Sequence, residues 1–364
     1  FEWDDNDFQI GSADLAHLLR TRVSVIGAPY EKTLVVVQAQ DSRRFGEETS
    51  TLGDGSGDQI DFHQAYLQID QVFDQPIALK VGRQEIVYSG QRLVGAVGWH
   101  NVGRAFDAVT VRIGRDSYVD LFNAKLGEGG RLDRNLYGVY GHVESPARVI
   151  WEPYVFFEHD KNSLPANVKR ATVGAYARGF FTGASGHGFG YELEGALQTG
   201  ERAGQDVLAF LGAGSFRYLS PSWRQHKVTL GFDFLSGDDD LSDTDSKAFD
   251  TLFATNHKYY GLMDFFINVP KDTGQLGLMD AMLKGEMKAA DNVKLGLQIH
   301  HFQLVEGIET TLGQEIDTTV AYVYNQAYRL QWGAGVFVPG DAMKARSGGD
   351  EVALKSYLQT VVTF

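Results

Sequence analysis

The sequence of 364 residues contains no cysteine, only 8 prolines and no apolar run long enough for a membrane helix. The absence of cysteine excludes a disulfide scaffold, thiolate metal sites and a cysteine nucleophile. A helix that crosses a bilayer needs about 18 or more apolar residues, so a membrane protein of this sequence has to be built from strands. The formal charge of −14 argues against a nucleic-acid binder, which carries a basic excess.

Sequence signatures of catalysis are missing as well. The ten histidines form no His-Glu-x-x-His pair, and the chain has neither a Gly-x-Ser-x-Gly elbow nor a P-loop. We therefore expect a protein that is not an enzyme and that needs no cofactor. A barrel hydrolase with a Ser/His site stays open as an alternative, because triad residues are scattered in sequence. A purely structural or adhesive barrel is the other alternative.

The dominant pattern along the chain is alternation with a period of two. From 170 to 178, polar or aromatic residues and glycine at even positions alternate with alanine and valine at odd positions. Segments 227–234 and 293–300 show the same division into a polar and an apolar face. This period is typical of strands that separate two environments.

The alternation predicts about 18 strands, near 1–10, 17–28, 33–41, 60–70, 77–85, 105–113, 117–126, 135–144, 148–158, 168–181, 187–199, 206–219, 224–236, 277–290, 292–305, 315–325, 328–338 and 351–364. Short polar links alternate with longer connections at 42–59, 86–104, 162–168, 237–276 and 339–350. Short turns on one side and long loops on the other are typical of an outer-membrane barrel. We therefore predict an all-β fold, a single transmembrane antiparallel β-barrel over 1–364, with both termini periplasmic.

Aromatic residues support a membrane location. The alternating segment from Leu354 ends in Phe364, which resembles the assembly signal of outer-membrane barrels, and we expect this last strand to pair with the first. Candidates for an interfacial aromatic girdle are Tyr191, Phe216, Tyr218, Tyr322, Tyr324, Trp332 and Phe337.

Two stretches, 82–107 and 255–264, break the alternation. Both lie largely in long connections yet are apolar, aromatic and rich in glycine, which is wrong for a freely solvated loop. We therefore expect the long loops 86–104 and 237–276 to fold toward the lumen and narrow it.

The same stretches carry a family resemblance. Segment 82–107 contains Gly-Arg-Gln, Gln-Arg-Leu and Trp-x-Asn-x-Gly-Arg-x-Phe-Asp in succession, and 256–264 reads Asn-His-Lys-Tyr-Tyr-Gly-x-Met-Asp. This pattern resembles the alginate-export family of outer-membrane porins. The resemblance implies an 18-stranded barrel of a Gram-negative outer membrane, with an arginine-rich lumen that passes an anionic polysaccharide outward. It also places Arg83, Arg92 and Arg104 in or near the constriction.

The polar faces of the strands supply further candidates for the pore lining. Cationic side chains assigned to the lumen are Arg20, Arg22, Lys80, Arg112, Arg170, Arg178, Arg217, Lys227, Lys284, Lys288, Lys294 and Lys355, and Lys258 joins them from the second stretch. Arginine suits this role because its planar guanidinium binds carboxylates bidentately and keeps its charge. The alternative is that these charges pair across neighbouring strands and only stabilise a wet wall.

The function that follows is an outer-membrane channel for a hydrophilic, anionic saccharide, through alginate-like polysaccharide export. The alternative is a passive uptake porin for oligosaccharides or other small solutes. Expected partners are outer-membrane lipid and lipopolysaccharide, an anionic poly- or oligosaccharide and a periplasmic export scaffold, with no nucleic acid. Asp238 and Asp240 in an acidic loop are candidate ligands for a structural calcium ion, with a solvated loop as the alternative.

Overall fold

The computed structural model describes residues 1–9, 13–45, 58–129, 132–146, 148–160 and 167–364. Within these residues, eighteen antiparallel strands form a closed barrel, as predicted. The strands are β1 (Glu2–Asp5), β2 (Asp14–Gly27), β3 (Thr33–Phe45), β4 (Asp58–Ile69), β5 (Ile77–Gln84), β6 (Phe106–Gly114), β7 (Tyr118–Gly129), β8 (Leu132–Glu144), β9 (Val149–Asp160), β10 (Val168–Thr182), β11 (Gly188–Arg202), β12 (Gln205–Leu219), β13 (Lys227–Leu235), β15 (Leu278–Ala290), β16 (Val293–Gln303), β17 (Thr311–Val323), β18 (Tyr328–Pro339) and β19 (Ala353–Val362). A further two-residue strand, β14 (Asp245–Ser246), pairs in parallel with β12. Short 3₁₀ turns occupy Val72–Asp74 and Asn256–Lys258.

The barrel closes through its first strand. β1 pairs antiparallel with β19, where Glu2 lies opposite Tyr357, and with β2, where Glu2 lies opposite Ala16. The predicted pairing of the first and last strands is therefore confirmed, although β1 is four residues long where 1–10 was expected. Phe8, beyond the end of β1, has a positive φ of 62° and packs on Phe265 inside the barrel.

The two faces of the wall carry different chemistry. Leucine, valine and phenylalanine side chains lie exposed on the outward face, with Leu230 59% and Phe216 65% exposed. Inward positions, such as Asp233 on β13 and Glu194 on the neighbouring β11, are polar and largely buried. An apolar outer band and a polar interior are what a barrel in a lipid bilayer requires.

One of the proposed girdle residues is wrong. Phe337 is fully buried and faces inward, where its ring contacts Phe265 at 4.6 Å between centroids. Trp332 lies on the outward face of the same strand. The two residues are five apart, and an odd separation on a strand places side chains on opposite faces.

The interior is occupied mainly at the end of the barrel that carries the long loops. The connections 85–105 and 236–277 fill this half together with the helix α1 (Asp341–Ser347). Tyr260, Phe249 and Phe266 from the second connection are almost completely buried against wall residues such as Phe302. Among the described residues, no helix is both long and apolar enough to span a bilayer.

The assignment of faces makes a prediction for assembly. Leu230→Arg or Leu295→Arg places a charge on the outward face and should destabilise the barrel by roughly 2 to 4 kcal/mol at the bilayer midplane. Lys294→Gln, an inward position on the same strand as Leu295, should leave folding unchanged. Folding equilibria in lipid vesicles measure both effects, and equal tolerance of the two kinds of variant would contradict the assignment.

Candidate functional site

Two chain segments meet inside the barrel. The first lumen segment, residues 85–105, joins β5 to β6, and the second lumen segment, residues 249–266, lies within the connection between β13 and β15. Val94 and Phe253 form a parallel β-bridge between them. The backbone N–H groups of Gly95 and Thr255 donate across the contact at 2.9 Å each, to Phe253 and Gln91. The two segments therefore form one unit.

Arg104 fastens this unit. Its Nη1 donates to the backbone carbonyl oxygens of Gly95 at 3.3 Å and Ala254 at 3.1 Å, and to that of Phe253. Burial lowers the pKa of Arg104 to about 10, because the guanidinium loses contact with water. The side chain therefore joins the two lumen segments instead of offering its charge to a solute.

Arg92 is buried among charged wall residues. Its Nε lies 3.3 Å from Glu194 Oε2 on β11, and its Nη1 bonds Asp233 on β13. The guanidinium also stacks on the Tyr259 ring, 3.8 Å from the centroid. Two carboxylates thus compensate one cation, and Arg92 anchors the first lumen segment to the wall.

Arg20 and Arg22 hold the same segment from the opposite wall. Arg20 Nη1 donates to the carbonyl oxygens of Gly98 at 3.1 Å and His100 at 2.8 Å. Arg22 donates to Gln40 at 2.6 Å and to the Val102 carbonyl at 3.3 Å. Both arginines face inward as predicted, and their hydrogen bonds position the loop.

Arg83 does not lie with this group. On β5 the inward positions are Lys80 and Gln84, so Arg83 points outward, opposite Asp107 on β6. It lies 3.9 Å from Asp107 and 3.7 Å from Asp61. The prediction that Arg83 lies in the constriction is therefore wrong. A sequence motif within a strand does not specify which face each of its residues takes.

Two further candidates, Arg112 and Arg170, are neutralised by carboxylates of the wall and of the second lumen segment. Arg112 on β6 makes a bidentate pair with Asp120 at 2.8 Å and stacks on the Tyr118 ring. Arg170 on β10 is buried and bonds Glu158 at 2.7 Å and Asp250 at 2.9 Å. These contacts match the alternative in which charges pair across strands and loops.

Other inward cations have no such partner. Within the described residues, no ion pair to a carboxylate is formed by Lys80, Arg178, Lys284, Lys288 and Lys294. Lys80 instead lies 4.0 Å from the centroid of the Tyr66 ring. All five face the lumen between mid-barrel and the end that carries the short turns. These five cations therefore bring positive charge to this part of the lumen that no described carboxylate compensates by direct contact.

A cavity of about 230 Å³ lies where the second lumen segment meets the inner faces of β11, β12, β13 and β15. Cations and acids line it in equal number, with Tyr259 between them: Arg92, Arg217, Lys227, Lys258 and Lys284, and Glu192, Glu194, Asp233, Asp280 and Glu286. Arg217 pairs with Glu192 and Lys227 with Glu286. Lys258 Nζ donates to the Gly90 carbonyl at 2.9 Å, and Lys284 Nζ donates to the Lys258 carbonyl at 3.3 Å. Burial lowers the pKa of Lys258, opposed by the charge of Glu192. Among the described residues, neither of these two ammonium groups forms an ion pair with a carboxylate.

Sequence reasoning missed a network that connects the second lumen segment to β19 and β1. His257 stacks on Trp99 at 4.4 Å between ring centroids and bonds Asp264 at 2.5 Å. Asp264 also pairs with Lys355 at 3.1 Å, and Lys355 pairs with Glu2 at 2.7 Å. Burial opposes the ionisation of Asp264, but the bond from His257 and the charge of Lys355 hold its pKa below the ordinary value. The Asn-His-Lys-Tyr-Tyr run at 256–260, which contains His257, is the feature of the sequence that points to this network.

The acidic loop keeps its carboxylates occupied locally. Asp240 accepts hydrogen bonds from the backbone and hydroxyl of Ser242, and Asp239 pairs with Lys247. Burial raises the pKa of Asp238. In the part of the chain that the structure describes, no group of three or more His, Asp or Glu side chains is arranged to hold a metal ion. Calcium at Asp238 and Asp240 stays a prediction.

The closed barrel, its apolar outer face and its polar, loop-lined interior define the protein as an outer-membrane channel. The family model for alginate export matches residues 2–310. The chain therefore belongs to the alginate export family. No curated protein matches the sequence.

Solved barrels with little sequence identity share the fold. OccAB1 of Acinetobacter baumannii has a TM-score of 0.67 and 13% identity, over 100% of this chain and 94% of that one. OccK8 (OprE) of Pseudomonas aeruginosa has a TM-score of 0.67 and 11% identity, over 99% and 96%. The outer membrane protein OprD of the same organism has 0.64 and 11%, over 100% and 91%. At this identity the likeness is one of fold.

The bonds of Arg104 make a prediction for conductance. Arg104→Ala should loosen the two lumen segments and give a larger or noisier single-channel current, because three backbone carbonyls lose their common donor. Ion preference should stay unchanged, since the charge is buried against the backbone. Arg115→Ala, in an exposed short turn, serves as the control. A shift in reversal potential caused by Arg104→Ala alone would contradict this role.

Proposed function

We propose that this channel prefers anions and passes a hydrophilic saccharide that carries carboxylates, in the manner of alginate export. The observation that carries the proposal is the set of inward cations without a carboxylate partner among the described residues, which are Lys80, Arg178, Lys284, Lys288 and Lys294. A water-filled lumen lined by one sign of charge concentrates the opposite ion and favours its passage.

The net charge of −14 does not oppose this proposal. Part of the acidic excess lies in the first residues of the connection after β13, where Asp239, Asp240, Asp243 and Asp245 are exposed. Charges separated by more than about 8 to 10 Å of solvent are largely screened at physiological salt. A permeating ion therefore responds mainly to the side chains that line its path.

Membership of the alginate export family supports a saccharide as the solute. The ammonium groups of Lys258 and Lys284 beside a cavity of about 230 Å³ suit a compact carboxylate on a sugar ring. The aromatic ring of Tyr259 adds an apolar surface to the same cavity. A polyuronate would pass such a site one residue at a time.

Uptake of short anionic oligosaccharides is the second candidate. The contact between the two lumen segments favours it. The β-bridge between Val94 and Phe253 and the bonds of Arg104 hold both segments inside the barrel, where they narrow the path for a long polymer. Passive flux follows the solute gradient, so the length of the solute separates the two candidates better than direction does. Release of oligouronates of increasing length from loaded liposomes provides the measurement. Passage of long chains supports export, and a cut-off at a few sugar units supports uptake.

Ion preference gives the direct test. Lys284→Gln, Lys288→Gln and Lys294→Gln combined should move the reversal potential in a salt gradient toward cations, because three unpaired inward charges are removed. The shift should be larger near 0.1 M salt, where the Debye length is about 10 Å, than near 1 M, where it is about 3 Å.

Lys169→Gln is the matched control, because Lys169 lies on the outward side of β10 next to buried Arg170. It removes one positive charge by the same kind of substitution without touching the lumen and should leave the reversal potential unchanged. An unchanged reversal potential in the triple variant, or an equal shift in the control, would refute anion preference through these lysines.

A further inference from the structure

A pair of acidic side chains is buried on the inner face of β17. Glu315 and Asp317 are two residues apart and share this face, and neither has any exposed area. Residues two apart on a strand are separated by roughly 6.5 to 7 Å along it. Within the described residues, neither carboxyl forms an ion pair with a lysine or arginine.

Both carboxyls bind the second lumen segment through its backbone. Glu315 Oε1 accepts a hydrogen bond from the Met263 N–H at 2.9 Å, and Asp317 Oδ2 accepts one from the Leu262 N–H at 3.3 Å. Gly261, with φ of 84°, lies so close that a Cβ atom there would be 2.2 Å from Glu315 Oε1. The carboxyl pair therefore determines where residues 261–263 lie against the wall.

A histidine beside the pair has one ring nitrogen without a partner. His300 on β16 lies directly across from Glu315 and is fully buried. Its Nδ1 bonds Asp280 on β15 at 2.9 Å, whereas its Nε2 has no hydrogen-bond partner among the described residues. Glu315 Oε2 and Asp317 Oδ1 receive no donor from these residues either, and the two carboxyl groups lie within hydrogen-bond reach of each other. A hydrogen bond between two carboxyl groups requires a proton on one of them.

The surrounding charges do not neutralise two ionised carboxylates. The titratable and charged side chains that face the pair are Asp280 and Lys284 on β15, His300 on β16, Lys355 and Tyr357 on β19, and Asp264 in the second lumen segment. Neighbouring positions on β18 are Gly335 and Phe337, which carry no charge. Lys355 is already bound to Glu2 and Asp264, and His300 to Asp280.

We propose that Glu315 and Asp317 form a proton-binding site whose occupancy keeps the second lumen segment in place. The two carboxyl groups lie within hydrogen-bond reach of each other, so in this dry environment they cannot both ionise without a large cost, and one proton stays on the pair. When that proton leaves to solvent at higher pH, the second negative charge repels its neighbour and Asp280. Relief of this repulsion requires water to enter beneath residues 261–263.

Movement of this segment changes the channel beyond its ion preference. Lys258 and Tyr259 precede residues 261–263, and both bond the Gly90 carbonyl of the first lumen segment. Displacement of 261–263 therefore pulls on the contact between the two lumen segments. We therefore expect the conductance of the channel to increase as pH rises, whichever ion the channel prefers.

Single-channel recording across pH provides the functional test. In the natural protein we expect the open conductance or the open fraction to rise at alkaline pH. Glu315→Gln with Asp317→Asn removes both titrating groups and keeps side chains of similar size, so this dependence should disappear. Glu309→Gln, at an exposed position in the loop before β17, should keep the natural pH profile. The same pH profile in the double variant and the natural protein would overturn the proposal.

Hydrogen exchange of the natural protein tests the same site without a substitution. The protection of the Leu262 and Met263 amides, corrected for the intrinsic rate at each pH, should fall by about tenfold as the pair ionises. Amides in β16 should keep their protection over the same range. If the double variant fails to fold, this measurement and the single variant Glu315→Gln still decide the question. Constant protection of both amides would overturn the proposal, and reversal potentials from the same recordings report on anion preference separately.

Discussion

Closure of the sheet through β1 is the constraint on which the remaining structure depends, because backbone groups that face lipid must find their hydrogen-bond partners within the protein. β1 contributes four residues, which pair with β19 on one side and β2 on the other. Lys355 on β19 binds Glu2 across this junction and Asp264 in the lumen. One buried ammonium therefore connects the closing strand of the wall to the chain segment that fills the interior.

The width of the closed wall determines how the interior is filled. Eighteen strands enclose a lumen that wall side chains alone cannot pack, so the connections after β5 and β13 occupy the half at the long loops. There the buried cations Arg92 and Arg170 each contact two carboxylates, because an unpaired charge without water is costly. Toward the short turns Arg112, Arg217 and Lys227 also pair with wall carboxylates, whereas the exposed side chains of Arg178 and Lys294 have no carboxylate partner among the described residues. An exposed charge can do without a partner because water solvates it.

The sequence allowed prediction of the wall and only part of the site. A period of two sets strand number and faces over long segments, because lipid imposes the alternation directly. The predictions for Arg83 and Phe337 are wrong because they rest on a family motif and on a residue type, and neither specifies which face of the strand a side chain takes. The contacts of Arg92 with Asp233 and of Arg104 with Phe253 link residues 141 and 149 positions apart, and no local pattern encodes them. The Asp264 network includes Lys355 on β19 and Glu2 on β1, so it depends on the pairing of the first and last strands and is visible only in the structure.

The pairing of the arginines changes which residues carry the chemistry of transport. Arg92 and Arg104 lie in the interior as the motif implied, yet their bonds to carboxylates and carbonyls commit them to holding the two lumen segments together. A solute that bound Arg92 in their place would leave Glu194 and Asp233 buried and uncompensated. The free energy lost in this way exceeds the free energy gained from the new ion pair. Among the described residues, Lys284 and Lys294 have no carboxylate partner that a solute would have to displace. The residues that hold the constriction and those that attract the solute are therefore different, and each set can change without the other.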